Sequence, residues 1–582
     1  MSMFTQQQQT VLTELESRRL TVVRAGPGSG KTRVFVEALR RQLDGWNSAR
    51  VGIAALSFTN VAHEVITRRL GGTPPPPHFV GTIDAFLLRF VVQPFAKLLG
   101  FCPQGARLLP EALARTIEVP RIQYGAKQYE SIFGYALCAG TEATPEAIVR
   151  NHFGNAIAVS STVSAKVLAS KEREWARNGR VTHADSQYLS SRILKATAAE
   201  GIATLVTSRF PVILVDEVQD TGWFLGRAML ELLSKVAKGL VVGDPDQAIF
   251  QFAGSDRALF DRLDASAGVP SLMLDESHRC SKRVCAVASA LSRSGKEVRA
   301  PDGAQDGRAI MLVHDDVMPL PAMVIERLRA TVSAHDADLA LLSRRRLGRP
   351  NGSEEIPWGG VSERICGSVT ELRCGSSRSA RNLLSREVSD LLLSSETPSD
   401  DEFAARGVDP AEWRICIARA LLAIESTIDG ESWNDWIVRA KAVLTGVANS
   451  FGLEAKRLGT TLKKKIGGGD APRGGAPPDA ALPVEQKSAN ALTIHAAKGR
   501  EFEVVVVLVG KPRRPHAPCP SISWWDEDSA SEEREVAYVA CSRAKTTLCL
   551  AVHRTTYEAL TKERSAFARL FEVVDVSATV GA

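Results

Sequence analysis

Residues Ala25-Gly26-Pro27-Gly28-Ser29-Gly30-Lys31-Thr32 place three glycines, a lysine and two hydroxyls in one short run. The apolar stretch Leu20-Thr21-Val22-Val23 precedes it and a helix-like stretch follows. That is the context a phosphate-binding loop requires. Glycines let backbone N–H groups converge on phosphate oxygens without Cβ clashes. The N-terminus of the following helix adds a favourable dipole. In such a loop Lys31 reaches the β- and γ-phosphates and Thr32 ligates Mg²⁺. Ala25 holds the first position, where the strict pattern has glycine. The plain alternative is a glycine-rich turn followed by an accidental Lys-Thr.

A second chemical feature is Val212-Ile213-Leu214-Val215-Asp216-Glu217, two carboxylates at the end of an apolar strand. In a nucleotide hydrolase Asp216 would hold the Mg²⁺ shell, and Glu217 would orient and deprotonate the attacking water. Alone, the pair also reads as an acidic strand end or helix cap. Gly243-Asp244-Pro245-Asp246-Gln247 follows another apolar strand. Gln247 there could sense a γ-phosphate through its amide, although the segment alone reads as a turn. Arg279 and Arg543 are candidate arginine fingers, since a guanidinium stabilises charge spread over transferring phosphoryl oxygens. Only the surrounding motifs single these two out from 72 basic residues.

The elements that must hold these residues are apolar runs followed by helix-like stretches. The strands expected are Leu20–Val23, Val51–Phe58, Val212–Val215 and Leu240–Val242, then Ser271–Leu274, Ala309–Val313, Leu339–Leu342, Leu492–Ile494, Val504–Val509 and Leu548–Val552. Continuous apolar runs of this length suit central strands of parallel sheets covered by helices. The fold class expected is α/β with two parallel sheets, each interrupted by a mainly helical insertion. The insertions fall near residues 100–205 and 347–485, and the second ends in a Gly- and Pro-rich stretch, Gly467–Pro478. No internal repeat is visible.

Composition sets the outer limits. The chain has 582 residues, is 44% hydrophobic and 24% charged, and carries a net charge of +6. This mixture excludes a disordered or fibrous protein. The weak positive balance neither demands nor opposes nucleic acid. No signal pattern opens the chain, and the apolar run Val504–Val509 is far too short to span a membrane. Ten cysteines include no Cys-x-x-Cys pair. Reduced packing thiols in a cytoplasmic protein are expected.

The ordered set of motifs resembles the UvrD/Rep/PcrA branch of superfamily 1 helicases. Phe4-Thr5-Gln6-Gln7-Gln8 is similar to the adenine-reading Q motif, and the phosphate loop through Arg33 to motif I. Ser57-Phe58-Thr59-Asn60 resembles motif Ia, Val80 to Asp84 motif Ib, and Asp216 to Thr221 motif II. Gly243 to Gly254 resembles motif III, Leu274 to Arg279 motif IV, Thr493 to Phe502 motif V, and Glu533 to Ala544 motif VI.

The resemblance implies two RecA-like domains with ATP and Mg²⁺ between them. Residues 1–99 and 206–268 would form domain 1A around insertion 1B (100–205). Residues 269–346 and 487–582 would form 2A around insertion 2B (347–486). Lys31, Thr32, Asp216, Glu217 and Gln247 would line one wall, with Arg279 and Arg543 facing them. Gln8, Ala25, Gly26, Pro27, Gly28, Ser29, Gly30, Arg33, His278 and Glu501 would complete the ATP site, with Glu501 at the ribose. The implied activity is ATP-driven 3′→5′ movement on single-stranded DNA and unwinding at single/double-strand junctions.

Phe58, Asn60, Thr82, Phe250, Phe252 and His495 would line the strand path, where aromatic stacking tolerates any base. The sequence departs from the family at His278, where a Tyr is usual, and at Asp84, where a His is usual. It departs again at Val61, Phe250, Phe252 and Arg500. Arg344-Arg345-Arg346 and Lys463-Lys464-Lys465 could meet duplex phosphates or form solvated faces. A second reading is a DNA-end-sensing ATPase subunit that regulates a separate nuclease, as in anti-phage systems such as Gabija. The short stretch after Arg543 leaves a nuclease domain in this chain unexpected.

Overall fold

A computed structural model describes residues 4–109, 119–125, 128–150, 156–196, 201–249, 259–268, 270–315, 339–344, 377–394, 400–425, 433–462, 490–509 and 532–575, with a few isolated positions between them. The chain divides into two compact units. One holds Met1–Leu347 and Ser488–Ala582, the other Gly348–Lys487.

The larger unit contains two six-stranded sheets. In spatial order the first runs Leu272–Leu274, Leu20–Ala25, Lys238–Gly243, Val212–Asp216, Ile53–Ser57 and Phe79–Thr82. The second runs Asn490–Thr493, Leu339–Ser343, Phe502–Val509, Ala544–His553, Arg308–His314 and Glu572–Asp575. Every pairing in both is parallel. The α/β expectation therefore holds.

The apolar runs explain the layering. Ile53–Ser57 and Val212–Asp216 are buried at every position. Their side chains alternate between two cores, as the two-residue period of a strand requires. Ile53, Ala55, Val212 and Leu214 pack on one face, and Ala54, Leu56, Ile213 and Val215 on the other. The second sheet repeats the pattern, with Val505 and Val507 on one face and Val504 and Val506 on the other. A sheet covered on both faces has its open ground only at the strand ends. Ligands in such folds sit beyond the carboxyl ends. Register places Ser57 beside Asp216 and Thr82, and Ala25 beside Leu274, at that edge.

The first insertion carries the helices Ser161–Asn178 and His183–Lys195. It also contains short antiparallel strands that the sequence reading did not pick out. Arg121–Gly125 pairs with Gln128–Ser131, and Tyr135–Gly140, Pro145–Arg150 and Ala156–Ala158 form a three-stranded sheet. Tyr135, Leu137, Ala147 and Val149 alternate into the core along these strands. Between the two helices, Lys171 Nζ donates to Asp185 Oδ1 at 2.6 Å, and neither side chain is exposed. Asp185 Oδ2 accepts from the Thr182 N–H at 2.9 Å. Lys171→Met would strand a buried carboxylate, so unfolding should cost about 3–5 kcal/mol less than in the wild type. A urea titration followed by tryptophan fluorescence measures this. An unchanged midpoint would contradict it.

Among the described residues the smaller unit is helical, with Ser377–Leu393, Pro410–Glu425 and Trp433–Ser450 the longest elements. They enclose Leu384, Trp413, Ile417, Trp436 and Leu444. Asp409 starts the middle helix by accepting from the N–H groups of Ala411 and Glu412. Among the described residues no helix is long and apolar enough to cross a membrane.

Candidate nucleotide site and strand path

The phosphate loop joins the strand Leu20–Ala25 to the helix Lys31–Leu43, which buries Val34, Phe35, Ala38 and Leu39. Gly28 and Gly30 adopt φ of +74° and +83°. A Cβ on Gly28 would lie 2.5 Å from Arg279 Cβ, and one on Gly30 2.6 Å from Gln8 Nε2. Gly28 is thus favoured by conformation and by crowding, and Gly30 by conformation. Gly30 caps the helix with no side-chain acceptor. The first N–H groups of the helix are then oriented for an anion.

Around the loop, Gly26 N–H donates to Leu274 O at 2.7 Å, and His278 N–H to Gly28 O at 3.0 Å. Gln8, expected at adenine, is engaged by the loop itself. Its Nε2 donates to Ser29 O at 3.0 Å, and its Oε1 accepts from Thr5 N–H at 3.2 Å. Gln7 instead pairs with Asp275, through side chain and backbone. Arg33 stacks over the Phe4 ring at 4.3 Å. The His278 ring is half-exposed, 3.5 Å from Glu276.

The two carboxylates end the strand Val212–Asp216. Lys31 Nζ lies 3.2 Å from Glu217 Oε1. Burial opposes the Lys31 charge, but Glu217, Asp244 and Asp216 outweigh it and raise its pKa. Burial, then the Glu217 charge, pushes Asp216 upward. Burial acts the same way on Glu217, but Lys31, Lys498 and the Gln219 amide hold it below the ordinary carboxylate range. Glu217 is thus held in the ionised form that a base requires. Its φ is +55°, a left-handed conformation that costs a non-glycine residue about 1–3 kcal/mol. The turn aims its carboxylate back at Lys31.

The second wall reaches the first directly. Gln247 Nε2 donates to Asp244 Oδ2 at 2.7 Å, and Arg543 Nη2 donates to Gln247 Oε1 at 3.2 Å. Arg543 is buried, with further bonds to the carbonyls of Val539 and Arg500. Burial, reinforced by Arg279, lowers its pKa to about 10, so it stays cationic at neutral pH. Arg279 Nε donates to Glu501 Oε2 at 2.8 Å, and Lys545 is 3.5 Å from the same carboxylate. Lys31, Asp216, Glu217, Gln247 and Arg543 are thus brought together, with Arg279 beside Gly28 on the other flank of the loop.

Mg²⁺ can be tested against these residues. Among the described residues no cluster of three or more His, Cys, Asp or Glu side chains could hold a metal alone. Thr32 and Asp216 offer only oxygen. A hydroxyl and a carboxylate completed by nucleotide phosphates are the donor set Mg²⁺ prefers. The residues fit the ion.

The expected strand path is only partly described. Phe250 and Phe252 lie outside the described residues, as does the Asn60 side chain. Phe58 is half-buried against the first core. Thr82 caps the helix Ile83–Leu87. His495 Nε2 lies 3.1 Å from Ile249 O, and burial and Arg344 lower its pKa. Arg344 is not a free basic residue, because it pairs with Glu532 and Glu533. Asp84 accepts from Gln187 at 2.8 Å.

Several residues at the site escaped the sequence reading. Gln219 joins the two acidic motifs, donating to Glu217 and accepting from Asp244 N–H. Lys498 binds Asp220 at 2.6 Å and donates to Gln247 O. Both stand inside motifs already recognised. Lys296, which bonds Asp244 at 2.9 Å, stands in none of them.

Comparison with known proteins decides the family. The model of the UvrD/REP helicase N-terminal domain matches residues 3–267, and that of the UvrD-like helicase C-terminal domain matches residues 481–555. The chain belongs to the UvrD/Rep-like helicases. Its two sheets are accordingly RecA-like P-loop folds. DNA helicase II of Escherichia coli (strain K12) is 26% identical over 311 residues, 50% of this chain and 41% of that protein. ATP-dependent DNA helicase PcrA of Leuconostoc citreum is 24% identical over 357 residues, 58% of this chain and 46% of that protein. The Gabija protein GajB of Bacillus cereus (strain VD045) is 23% identical over 335 residues, 56% of each chain. The chain thus spans about half the length of the curated relatives it matches.

Proposed function

We propose that this UvrD/Rep-like protein is a cytoplasmic ATP-dependent DNA helicase. It hydrolyses ATP between its two RecA-like domains, moves 3′→5′ along single-stranded DNA and unwinds duplex at junctions. The observation that supports this best is the run of bonded groups from Lys31 and Glu217 in one domain, through Gln219, Asp244 and Gln247, to Arg543 in the other.

Lys31 and the loop N–H groups bind the β- and γ-phosphates. Glu217, kept ionised, takes the proton of the attacking water. Gln247 places its amide between the acidic cluster and Arg543. Arg279 and Arg543 stabilise the charge that develops on the transferring phosphoryl group. Bound through Thr32 and Asp216, Mg²⁺ would supply charge neutralisation at the phosphate oxygens. Because Arg543 and Gln247 belong to different domains, loss of the γ-phosphate changes what each can bond. That change can drive opening and stepping.

Strand displacement from duplexes with a 3′ or a 5′ tail tests the proposal. Unwinding of the 3′-tailed substrate alone is expected, and preference for the 5′ tail would contradict it. Similarity to GajB favours a second reading, a DNA-end-sensing ATPase subunit beside a partner nuclease. DNA-stimulated hydrolysis without displacement from either substrate would select it.

A further inference from the structure

Lys296 belongs to none of the motifs, yet it stands where the two RecA-like domains meet. It is 7% exposed and follows the helix Lys282–Leu291 of the second domain. Its Nζ donates to Ala25 O, at the start of the phosphate loop, at 3.1 Å, and to Asp244 Oδ1 at 2.9 Å. The Asp244 side chain is fully buried. Its other oxygen, Oδ2, accepts from Gln247 Nε2 at 2.7 Å and from the Tyr538 hydroxyl at 3.3 Å.

A carboxylate only accepts. Asp244 therefore selects the NH₂ end of the Gln247 amide and turns its oxygen toward Arg543. The segment carrying Lys296 is itself anchored. Asp246 accepts from Ser292 Oγ at 2.7 Å, and from the N–H groups of Arg293 and Ser294 at 3.0 Å. Lys296 N–H donates to Ser292 Oγ at 2.9 Å. The ammonium group is thus held in place from its own backbone.

We propose that Lys296 is a positioning residue for ATP hydrolysis. Reaching across from the second domain, it neutralises Asp244 beside the phosphate loop and anchors the carboxylate that fixes which end of Gln247 faces Arg543. The inference rests on the ATPase reading above. Asp244 lies close enough to act electrostatically on both Lys31 and Arg543. Left without Lys296, its charge would compete with the nucleotide phosphates for both cations. A buried ion pair of purely structural use would have neither consequence.

The test compares the wild type, Lys296→Met and Lys296→Met/Asp244→Asn in steady-state ATP hydrolysis, with thermal melting beside it. Lys296→Met should lower kcat at least about tenfold, because Asp244 is no longer anchored and shifts the Gln247 amide with it, and raise KM for ATP. The added Asp244→Asn should bring KM back to within about twofold of the wild type while kcat stays low, because Asn no longer dictates the Gln247 orientation. A melting shift with kcat and KM unchanged would overturn the inference, as would a double variant whose KM is no better than that of the single. If Lys296→Met does not fold, Lys296→Gln carries the same comparison. A wild type that hydrolyses no ATP, with or without DNA, overturns the ATPase reading and this role with it. Wild-type hydrolysis left intact in Lys296→Met overturns this role alone.

Discussion

Glu217→Gln should lower ATP turnover by about 10³-fold while leaving nucleotide affinity near that of the wild type. The substitution keeps the volume and an acceptor oxygen for Gln219. It does not change the left-handed backbone at this position, which burdens Gln as it does Glu. What it removes is the negative charge that Lys31 and Lys498 hold in place. Lys31 then loses one partner but keeps Asp216 and Asp244 nearby. Binding should survive where proton transfer does not. Turnover and binding of a fluorescent nucleotide, measured on the same preparation, separate the two. Turnover within threefold of the wild type would remove Glu217 from the role of base.

Arg543→Lys should lower turnover by about 10³-fold, the lower range for losing an arginine finger. The change retains the positive charge. It gives up the planar fork that reaches Gln247, Val539 O and Arg500 O together. If Arg543 only braced the motif VI helix, the variant would melt lower yet turn over at an ordinary rate per folded molecule. Single-turnover hydrolysis with a melting control distinguishes these outcomes. A normal rate would mean that the bond to Gln247 has no part in the reaction.

The parts of the site that could be read early are those where chemistry is local in the chain. The phosphate loop, the Asp216-Glu217 pair and Gln247 each follow an apolar strand, and parallel-sheet geometry brings such strand ends to one edge. The strands themselves were legible because burial on both faces demands unbroken apolar runs. Other features depend on separations that no local pattern carries. Lys296 meets Ala25 across 271 positions, and nothing in Ser294-Gly295-Lys296 marks it. Gln8 could be recognised by its motif, but its bond to Ser29 O depends on how the first helix packs against the loop. The short strands of the first insertion alternate weakly, with Ala, Cys and Gly among the inward and outward positions of Tyr135–Gly140. Arg344 looked like part of a basic cluster because its partners, Glu532 and Glu533, lie far along the chain.

The central claim is that hydrolysis at the Lys31–Glu217 site is coupled to single-stranded DNA. Steady-state ATPase of the purified protein, with and without single-stranded DNA and beside Lys31→Ala, tests it most directly. The prediction is hydrolysis that DNA stimulates and that Lys31→Ala abolishes in both conditions. Hydrolysis indifferent to DNA, or surviving in Lys31→Ala, would contradict it.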